Sequence, residues 1–386
     1  MICFDNPFLV PIEGGKRSMA SRIHALGKLD ISLDVYLLNK RGEGLVDPSD
    51  LPQRPGLRFF QYRMRRSLPT LLLSKYPLSA LKRTVGKLSR DLRDRDYDAV
   101  LFEGEHVALY RLRHHVRAKR AILYYHDIES SYRAELAQST QRQPRRLLQT
   151  FEARKFQRME DELAAAFDCH LFISSSELEK MRARLNLAES AEYAPYAVDV
   201  IAPSIAIGSA PGRLLYVGDL RVESNYHSIY WFIRNVLPLV RDSHNRVQLR
   251  LVGSIDPDRR RELEALDPRV EVAGYVESLE AEYQNAACVV APVLFGAGVK
   301  IKLLDALARG QVVVANSKAC EGTRVLSGEH LLVADDPAEM AAMCGDVLSR
   351  RESYRTVAEQ GLQYIRDFHS IESHASILKK AIEGAA

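Results

Sequence analysis

The sequence predicts an α/β protein built from two doubly wound domains, and three observations carry that reading. Short apolar runs alternate with amphipathic stretches along nearly the whole chain, the pattern of parallel strands buried between two layers of helices. The pattern lapses in "YAPYAVDVIAPSIAIGSAPG", where Pro, Gly, Ser and Ala collect, and then restarts. At 386 residues the chain is also too long for one ordinary core. The expected domains are residues 1–205 and 206–368, with a C-terminal helix over 369–386 returning towards the first domain.

In order along the chain, "ICFDNPF" reads as a strand, "LVPIEGGKR" as a loop, "SMASRIHALGKL" as a helix and "LDVYLLN" as a strand. "YDAVLFEG" and "RAILYYHD" are further strands. "RRLLQTFEARKFQRMEDELAAAF" is a long amphipathic helix leading into the strand "DCHLFISS" and a helix from "SELEKMRARL" that Ser176 can cap. Beyond the linker come "RLLYVGDL" (strand), "NYHSIYWFIRNVLPLV" (helix), "VQLRLVGS" (strand), "DPDRRRELEAL" (helix), "VEVAGYV" (strand), "SLEAEYQNA" (helix) and "CVVAPV" (strand). Ligands of open α/β sheets sit beyond the carboxyl ends of the strands, so a cleft between two such sheets is the expected site.

Composition excludes several classes. The chain is 46% hydrophobic and 27% charged, with a mean hydropathy of −0.20. No apolar run approaches the ~20 residues of a membrane span, and "MICFDNPFLVP" lacks the pattern of a signal peptide. Five scattered cysteines without C-x-x-C spacing read as reduced thiols of a cytoplasmic protein. No metal site and no resident cofactor are expected. Charge is uneven: residues 1–200 hold 33 Lys and Arg against 26 Asp and Glu, residues 201–386 hold 21 against 24. The basic excess lies in residues 54–95, where Arg and Lys alternate with Leu, Phe and Tyr. This segment reads as a solvated helix pair with a basic outer face, or as a peripheral docking surface for an anionic membrane through residues such as Arg63, Arg65 and Arg66. No nucleic-acid module is recognisable.

The stretch "FGAGVKIKLLDALARG", Phe295 to Gly310, holds the densest signal. Gly296 and Gly298 permit positive φ and close approach of a ligand to the main chain. A helix starting near Val299 presents unpaired N–H groups and about half a positive charge, which suits a phosphate. On that helix Lys300 falls on the inward face with Leu303, Leu304 and Leu307 and reaches over the helix end. Alternatively the helix starts one residue later and Lys300 is an ordinary loop charge. Asp305 is open between a surface ion pair with Lys302 or Arg309 and a ribose acceptor. "PIEGGKRS" is not a P-loop, the G-x-G-x-x-G pattern is incomplete, and "DRDYD" (Asp94 to Asp98) reads as a turn. From its own surroundings His126 is open between a core histidine and a site residue.

These residues carry a family resemblance. "FGAGVKIKLLDALARGQVVVANSKACEGTRVLSGEHLLVADDPAEMAAMCGDVL" resembles the C-terminal domain of the group 1 glycosyltransferases, family 4, with the GT-B fold of two Rossmann-like domains facing across a cleft. "YVGDLRVESNYHSIYWF", "YAPYAVDV", "PIEGGKRSMASRIHAL" and "YYHDIESSYRAEL" are similar to other segments of the family, so the resemblance runs over nearly the whole chain. It implies that Gly14 and Gly15 bring amides near the donor phosphates and that His126 faces the donor sugar. By the same resemblance Asn225 lies near the diphosphate, Gly298, Val299 and Lys300 line sugar and phosphate, Asp305 takes the ribose position, and Glu321 precedes the second loop of the site. Glu103 and His126 would orient sugar and acceptor.

The sequence departs from the family in two places. Ala297 stands where the first Glu of the Glu-x7-Glu pair belongs, with Asp305 for the second. The Arg…Lys pair is missing from "GDLRVESNYHS", where Arg221 can stand in. The expected activity is transfer of a sugar from a nucleotide-diphosphate donor to a glycan or lipid-linked acceptor, with retention and without a metal, Lys300 neutralising the leaving diphosphate. A nucleotide-sugar epimerase on the same fold and a non-catalytic nucleotide-sugar-binding partner are the alternatives.

Overall fold

The structure is a computed structural model that describes residues 1–9, 14–40, 42–64, 74–114, 116–139, 143–187, 189–200, 212–240, 247–296 and 298–384. The chain divides into two compact units, Met1–Ala197 with Ile371–Ala386, and Val198–Ser370. It passes between them twice.

The first unit is built on seven parallel strands: β1 (Ile2–Cys3), β2 (Leu33–Asn39), β3 (Leu57–Arg63), β4 (Asp96–Glu103), β5 (Arg117–Tyr125), β6 (Cys169–Phe172) and β7 (Ala191–Tyr193). Their order is β3-β2-β1-β4-β5-β6-β7, so the winding reverses between β1 and β4. All seven residues of β2 are buried, as a strand covered on both faces requires. Aromatic packing fills the space between sheet and helices: Tyr125 stacks on Phe172 at 4.3 Å between ring centroids, and Phe102 meets Phe167 edge-on at 5.1 Å. The helix Ile371–Glu383 closes this unit by packing against the helix Gly14–Gly27. Arg120 of β5 donates from Nε to the Ala381 carbonyl at 3.0 Å.

Three local expectations need correction here. The first part of the basic segment is the edge strand β3, half-exposed along its length, and not a helix; only Leu78–Arg83 and Gly86–Arg93 form a helix pair. Arg65 and Arg66 lie outside the described residues. Ser174, not Ser176, caps the helix Ser175–Leu185, its Oγ accepting from the Glu177 amide at 3.3 Å. The second half of the supposed turn at Asp94–Asp98 already belongs to β4.

The second unit carries six parallel strands, β8 (Arg213–Val217), β9 (Gln248–Val252), β10 (Val270–Gly274), β11 (Cys288–Ala291), β12 (Val313–Ala315) and β13 (Leu332–Val333). Their order is β10-β9-β8-β11-β12-β13, and this winding reverses between β8 and β11. Gly253 marks where the ends of β8 and β9 approach. Its φ is 139°, and a Cβ there would sit 2.0 Å from the Gly218 carbonyl oxygen. Among the described residues, no helix is long and apolar enough to cross a membrane.

Candidate functional site

In doubly wound sheets the reversal of strand order opens a crevice at the carboxyl ends of the strands. Each unit has one such point, and the two are chemically unlike.

In the first unit β4 ends at Glu103 and β5 runs out to His126, while the helix after β1 supplies Arg22. Arg22 and Glu103 form a two-pronged ion pair, Nε to Oε1 at 2.6 Å and Nη2 to Oε2 at 2.7 Å, and both are fully buried. The guanidinium lies over the Tyr124 ring at 3.5 Å. Burial alone would push the Glu103 carboxyl up; Arg22 and His126 outweigh it and hold the group at about 2. His126 places Nε2 2.8 Å from Glu103 Oε2. Arg22 Nη2 lies 3.0 Å from the same Nε2, so this ring nitrogen sits between a carboxylate that only accepts and a guanidinium that only donates. Burial, with Arg22 adding to it, lowers the His126 pKa and keeps the imidazole neutral. Both Glu103 oxygens are engaged within the unit, Oε1 by Arg22 and Oε2 by Arg22 and His126, so the expected orienting role of Glu103 would pass through His126. Gly14 and Gly15 open the helix Gly14–Gly27, and Gly15 lies against Phe4. Lys16 turns back to donate to the Leu9 carbonyl at 3.0 Å.

In the second unit the loop after β11 and the helix after β8 meet at the reversal. Asn316 clamps the start of that loop: its Oδ1 accepts from the Val293 amide at 3.0 Å and its Nδ2 donates to the Val293 carbonyl at 2.7 Å. The Leu294 amide donates to Ser228 Oγ at 3.0 Å, which ties the loop to the helix Glu223–Asn235. Gly296 and Gly298 then take φ of 111° and 74°, values that favour glycine. Ala297 lies outside the described residues.

The helix begins at Ile301, two residues later than expected, and is Ile301–Leu307. Lys300 precedes it in extended backbone, so its wheel position has no meaning. Its ammonium folds back onto the Gly296 and Gly298 carbonyls at 2.9 and 2.7 Å. The turned-in carbonyls of a glycine-rich loop form a cation cradle, and the nearest cation fills it.

Lys302, which the sequence placed on the polar face with Asp305 and Arg309, is the residue that enters the crevice. Its Nζ donates to Tyr216 Oη at 3.0 Å and to Asn225 Oδ1 at 2.9 Å. It also lies 4.8 Å from the centroid of the Tyr216 ring. Asn225 is held in turn by its Nδ2 bond to the Asp219 carbonyl at 3.0 Å. Crowding by protein atoms, then repulsion from Lys300, lowers the Lys302 pKa from its ordinary 10.5 to about 7.

The remaining candidates lie around this centre. Val299 is partly buried beside Gly298. Arg221 is exposed and closed into a two-pronged pair with Asp219, at 2.9 and 2.6 Å. Glu321 follows the short helix Ser317–Cys320 and pairs with Lys318 at 2.7 Å. Asp305 sits three residues past Lys302 on the same helix, where its carbonyl accepts from Arg309 at 3.0 Å. Arg309 points Nε to Glu280 at 3.2 Å. A cavity of about 710 Å³ lies elsewhere, at the amino ends of β2 and β4, and its charges Asp34, Arg58 and Arg95 pair with one another. Among the described residues no group of three His, Cys, Asp or Glu is placed to hold a metal ion.

Residues 211–350, which contain this second reversal, match the family model "Glycosyl transferases group 1". The match covers less than half of the chain. Over 382 residues the chain is 25% identical to an "Uncharacterized 44.6 kDa protein in cps region" of Klebsiella pneumoniae, covering 95% of this chain and 96% of that one. The chain's fold is that of HepE from Anabaena, solved with UDP and glucose (TM-score 0.66, 14% identity, 99% of each chain). It is also that of the lipopolysaccharide outer core galactosyltransferase WaaB in its apo form (TM-score 0.67, 14% identity, 100% of this chain and 99% of that one). A third likeness is to WaaG, a glycosyltransferase involved in lipopolysaccharide biosynthesis (TM-score 0.64, 12% identity, 100% and 99%). At these identities the likeness is one of GT-B architecture.

Proposed function

We propose that the chain transfers a sugar from a nucleotide-diphosphate donor to a glycan or lipid-linked acceptor, without a metal and with retention of configuration. One observation carries the reading. Lys302 holds an ammonium group at the strand-order reversal of the second unit, and its hydrogen-bond partners there are neutral oxygens. Such a cation is poorly solvated and gains most from an anion.

As the bond between sugar and phosphate lengthens, negative charge grows on the departing diphosphate. A cation already in place stabilises that charge more in the transition state than in the ground state, which is what accelerates the step. Tyr216 and Asn225 fix its position, so little reorganisation is needed. Lys300 contributes through the loop: by gripping two carbonyls it holds Gly296–Gly298 in the shape that brings backbone close to a phosphate. In the first unit the His126 imidazole hydrogen-bonds a hydroxyl of the donor sugar or acceptor, and Arg22 and Glu103 hold the ring still. Retention follows if the leaving phosphate takes the proton of the acceptor hydroxyl on the face it departs from. The printed ligands of HepE suggest a uridine nucleotide. The named roles of WaaB and WaaG suggest a lipid-linked glycan as acceptor.

Calorimetric titration with UDP, GDP, dTDP and ADP, each with and without a sugar, tests this reading. One nucleotide diphosphate should bind, and Lys302→Met should remove most of the affinity without unfolding the protein. The reading fails if no nucleotide diphosphate binds, or if the variant binds as the parent does.

A further inference from the structure

We propose that three glutamates of the first unit, Glu105, Glu160 and Glu177, position the loop that carries His126: two grip its backbone amides, and the third must be uncharged for them to do so. The inference deepens the proposed function, since it concerns how His126 is held, and only the last of its tests rests on that reading.

His126 stands one residue beyond β5, on the segment that leads into the helix Glu129–Ser139. Arg22 and Glu103 fix its ring, and the backbone beneath it is held separately. Ile128 donates its amide to Glu177 Oε1 at 3.1 Å. Ser130 donates its amide to Glu160 Oε1 at 3.0 Å and its Oγ to Oε2 at 2.9 Å. Glu177 comes from the helix Ser175–Leu185 after β6, and Glu160 from the long helix Gln143–Ala166. An ionised carboxylate makes shorter and stronger bonds to amides than a neutral acid does, so both grips are firmest with charge on Glu160 and Glu177. Burial pushes both carboxyls up. The bonds from Ser130 and the neighbouring Arg184 pull Glu160 back, and the Ile128 amide does the same for Glu177.

Glu105 opens the helix Glu105–His114, two residues past the end of β4. It is 2% exposed, and neither of its carboxyl oxygens has a hydrogen-bond partner. A carboxylate buried in this way takes up a proton rather than stay charged. An acid at a helix start can be favoured by the helix dipole, but Glu105 accepts from no amide of its own first turn. Its surroundings add to the effect. Burial comes first, then repulsion from Glu160, Glu129 and Glu177, and they raise its pKa well above the ordinary 4.5, with the Glu129 amide pulling slightly the other way. The cations nearby are engaged elsewhere: His106 and Arg133 with Glu129 at 3.1 and 3.2 Å, and Arg184 with Glu160 and Asp161. Arg83 acts on Glu129, and Glu135 and Lys180 act on Glu177. Tyr125 of β5 also faces Glu105, and that neighbour helps to hold its hydroxyl protonated. A further negative charge among Glu129, Glu160 and Glu177 would push on the two that hold Ile128 and Ser130, and so on the loop.

Thermal unfolding of the full chain and of Glu105→Gln across about pH 4 to 9 tests the third glutamate. The folded carboxyl is raised, so its contribution is complete below the ordinary 4.5 and is lost as pH rises. The parent should therefore melt progressively lower than Glu105→Gln above pH 4.5, and a difference that is the same at every pH would overturn the claim that Glu105 is held uncharged. The grip is read on protein isotope-labelled at histidine, with the His126 resonance assigned by its loss in His126→Gln. Glu177→Ala and Glu160→Ala should each displace that resonance, and Glu177→Gln, whose carbonyl still accepts, should restore most of it. A resonance that neither alanine variant moves would overturn the grip. In a transfer assay Glu177→Ala should lower kcat by about tenfold with the donor KM unchanged. A displaced resonance with kcat intact would keep the grip and remove His126 from the reaction, which separates failure of the proposed function from failure of this inference.

Discussion

The two points of strand-order reversal have the same topology and opposite electrostatics. At the first, a cation and a carboxylate cancel in a fully buried pair beside a neutral imidazole. At the second, Asp219 and Arg221 cancel at the surface, while Lys300 and Lys302 rest on carbonyl, hydroxyl and amide oxygens. The same fold therefore offers a rigid, neutral hydrogen-bonding edge in one unit and an electropositive pocket in the other. On the proposed reading, only the second receives the diphosphate.

The comparison is broken most severely by Arg22→Met, which would leave the buried Glu103 carboxylate without its counter-charge. The expected loss is about 3–5 kcal/mol of stability, read by denaturant unfolding, and Arg22→Met with Glu103→Met should recover much of it. The folded Glu103 carboxyl lies near 2 against an ordinary 4.5. Its contribution is therefore complete above pH 4.5 and lost as pH falls towards 2, a slope the double variant should lack.

Next in size is Lys302→Met. Loss of one desolvated charge-assisted contact to phosphate should cost about 1.5–3 kcal/mol of binding, or roughly tenfold to 150-fold in Kd, with the protein melting no lower than before. The pH profile sharpens this. Lys302 is lowered to about 7, so affinity for a nucleotide diphosphate should be level below pH 7 and fall by up to about tenfold per unit above it. Since the unfolded chain holds this proton up to pH 10.5, stability should climb between pH 7 and 10.5. Both slopes should be absent in Lys302→Met. Smallest is Lys300→Ala: loss of two hydrogen bonds to loop carbonyls should weaken binding by only about fivefold, on the order of 1 kcal/mol. A larger effect from Lys300 than from Lys302 would reverse their roles.

Much of this was legible in the sequence, and the failures have physical causes. Alternating apolar and amphipathic runs give doubly wound sheets because a strand covered on both faces has no polar side to show. The glycine pair was legible because few other residues tolerate its φ. Leu57–Arg63 misled because basic residues among Leu and Phe were taken for a helix face, whereas an edge strand also tolerates charge on its open side. The wheel position expected of Lys300 fails because a helical wheel depends on its first residue, and a two-residue shift of the start removes Lys300 from the helix. The reach of Lys302 to Tyr216 crosses 86 positions of sequence and no local pattern encodes it. Arg22 was readable in principle: it sits in step with Met19, Ile23 and Leu26 on the buried side of its helix, a place where an arginine must have a partner.

The helix Ile371–Glu383, packed on the first unit and joined to β5 through Arg120 and Ala381, sets the timetable of synthesis. On the ribosome the unit begun first is finished last, since its closing helix emerges only after the whole of the second has been made. A nascent chain must keep the unclosed flank of the earlier unit from sticking to its neighbours for about the time needed to translate 170 residues, on the order of ten to thirty seconds at ordinary rates of synthesis. Release of a fragment ending near residue 197 would strand that flank for good.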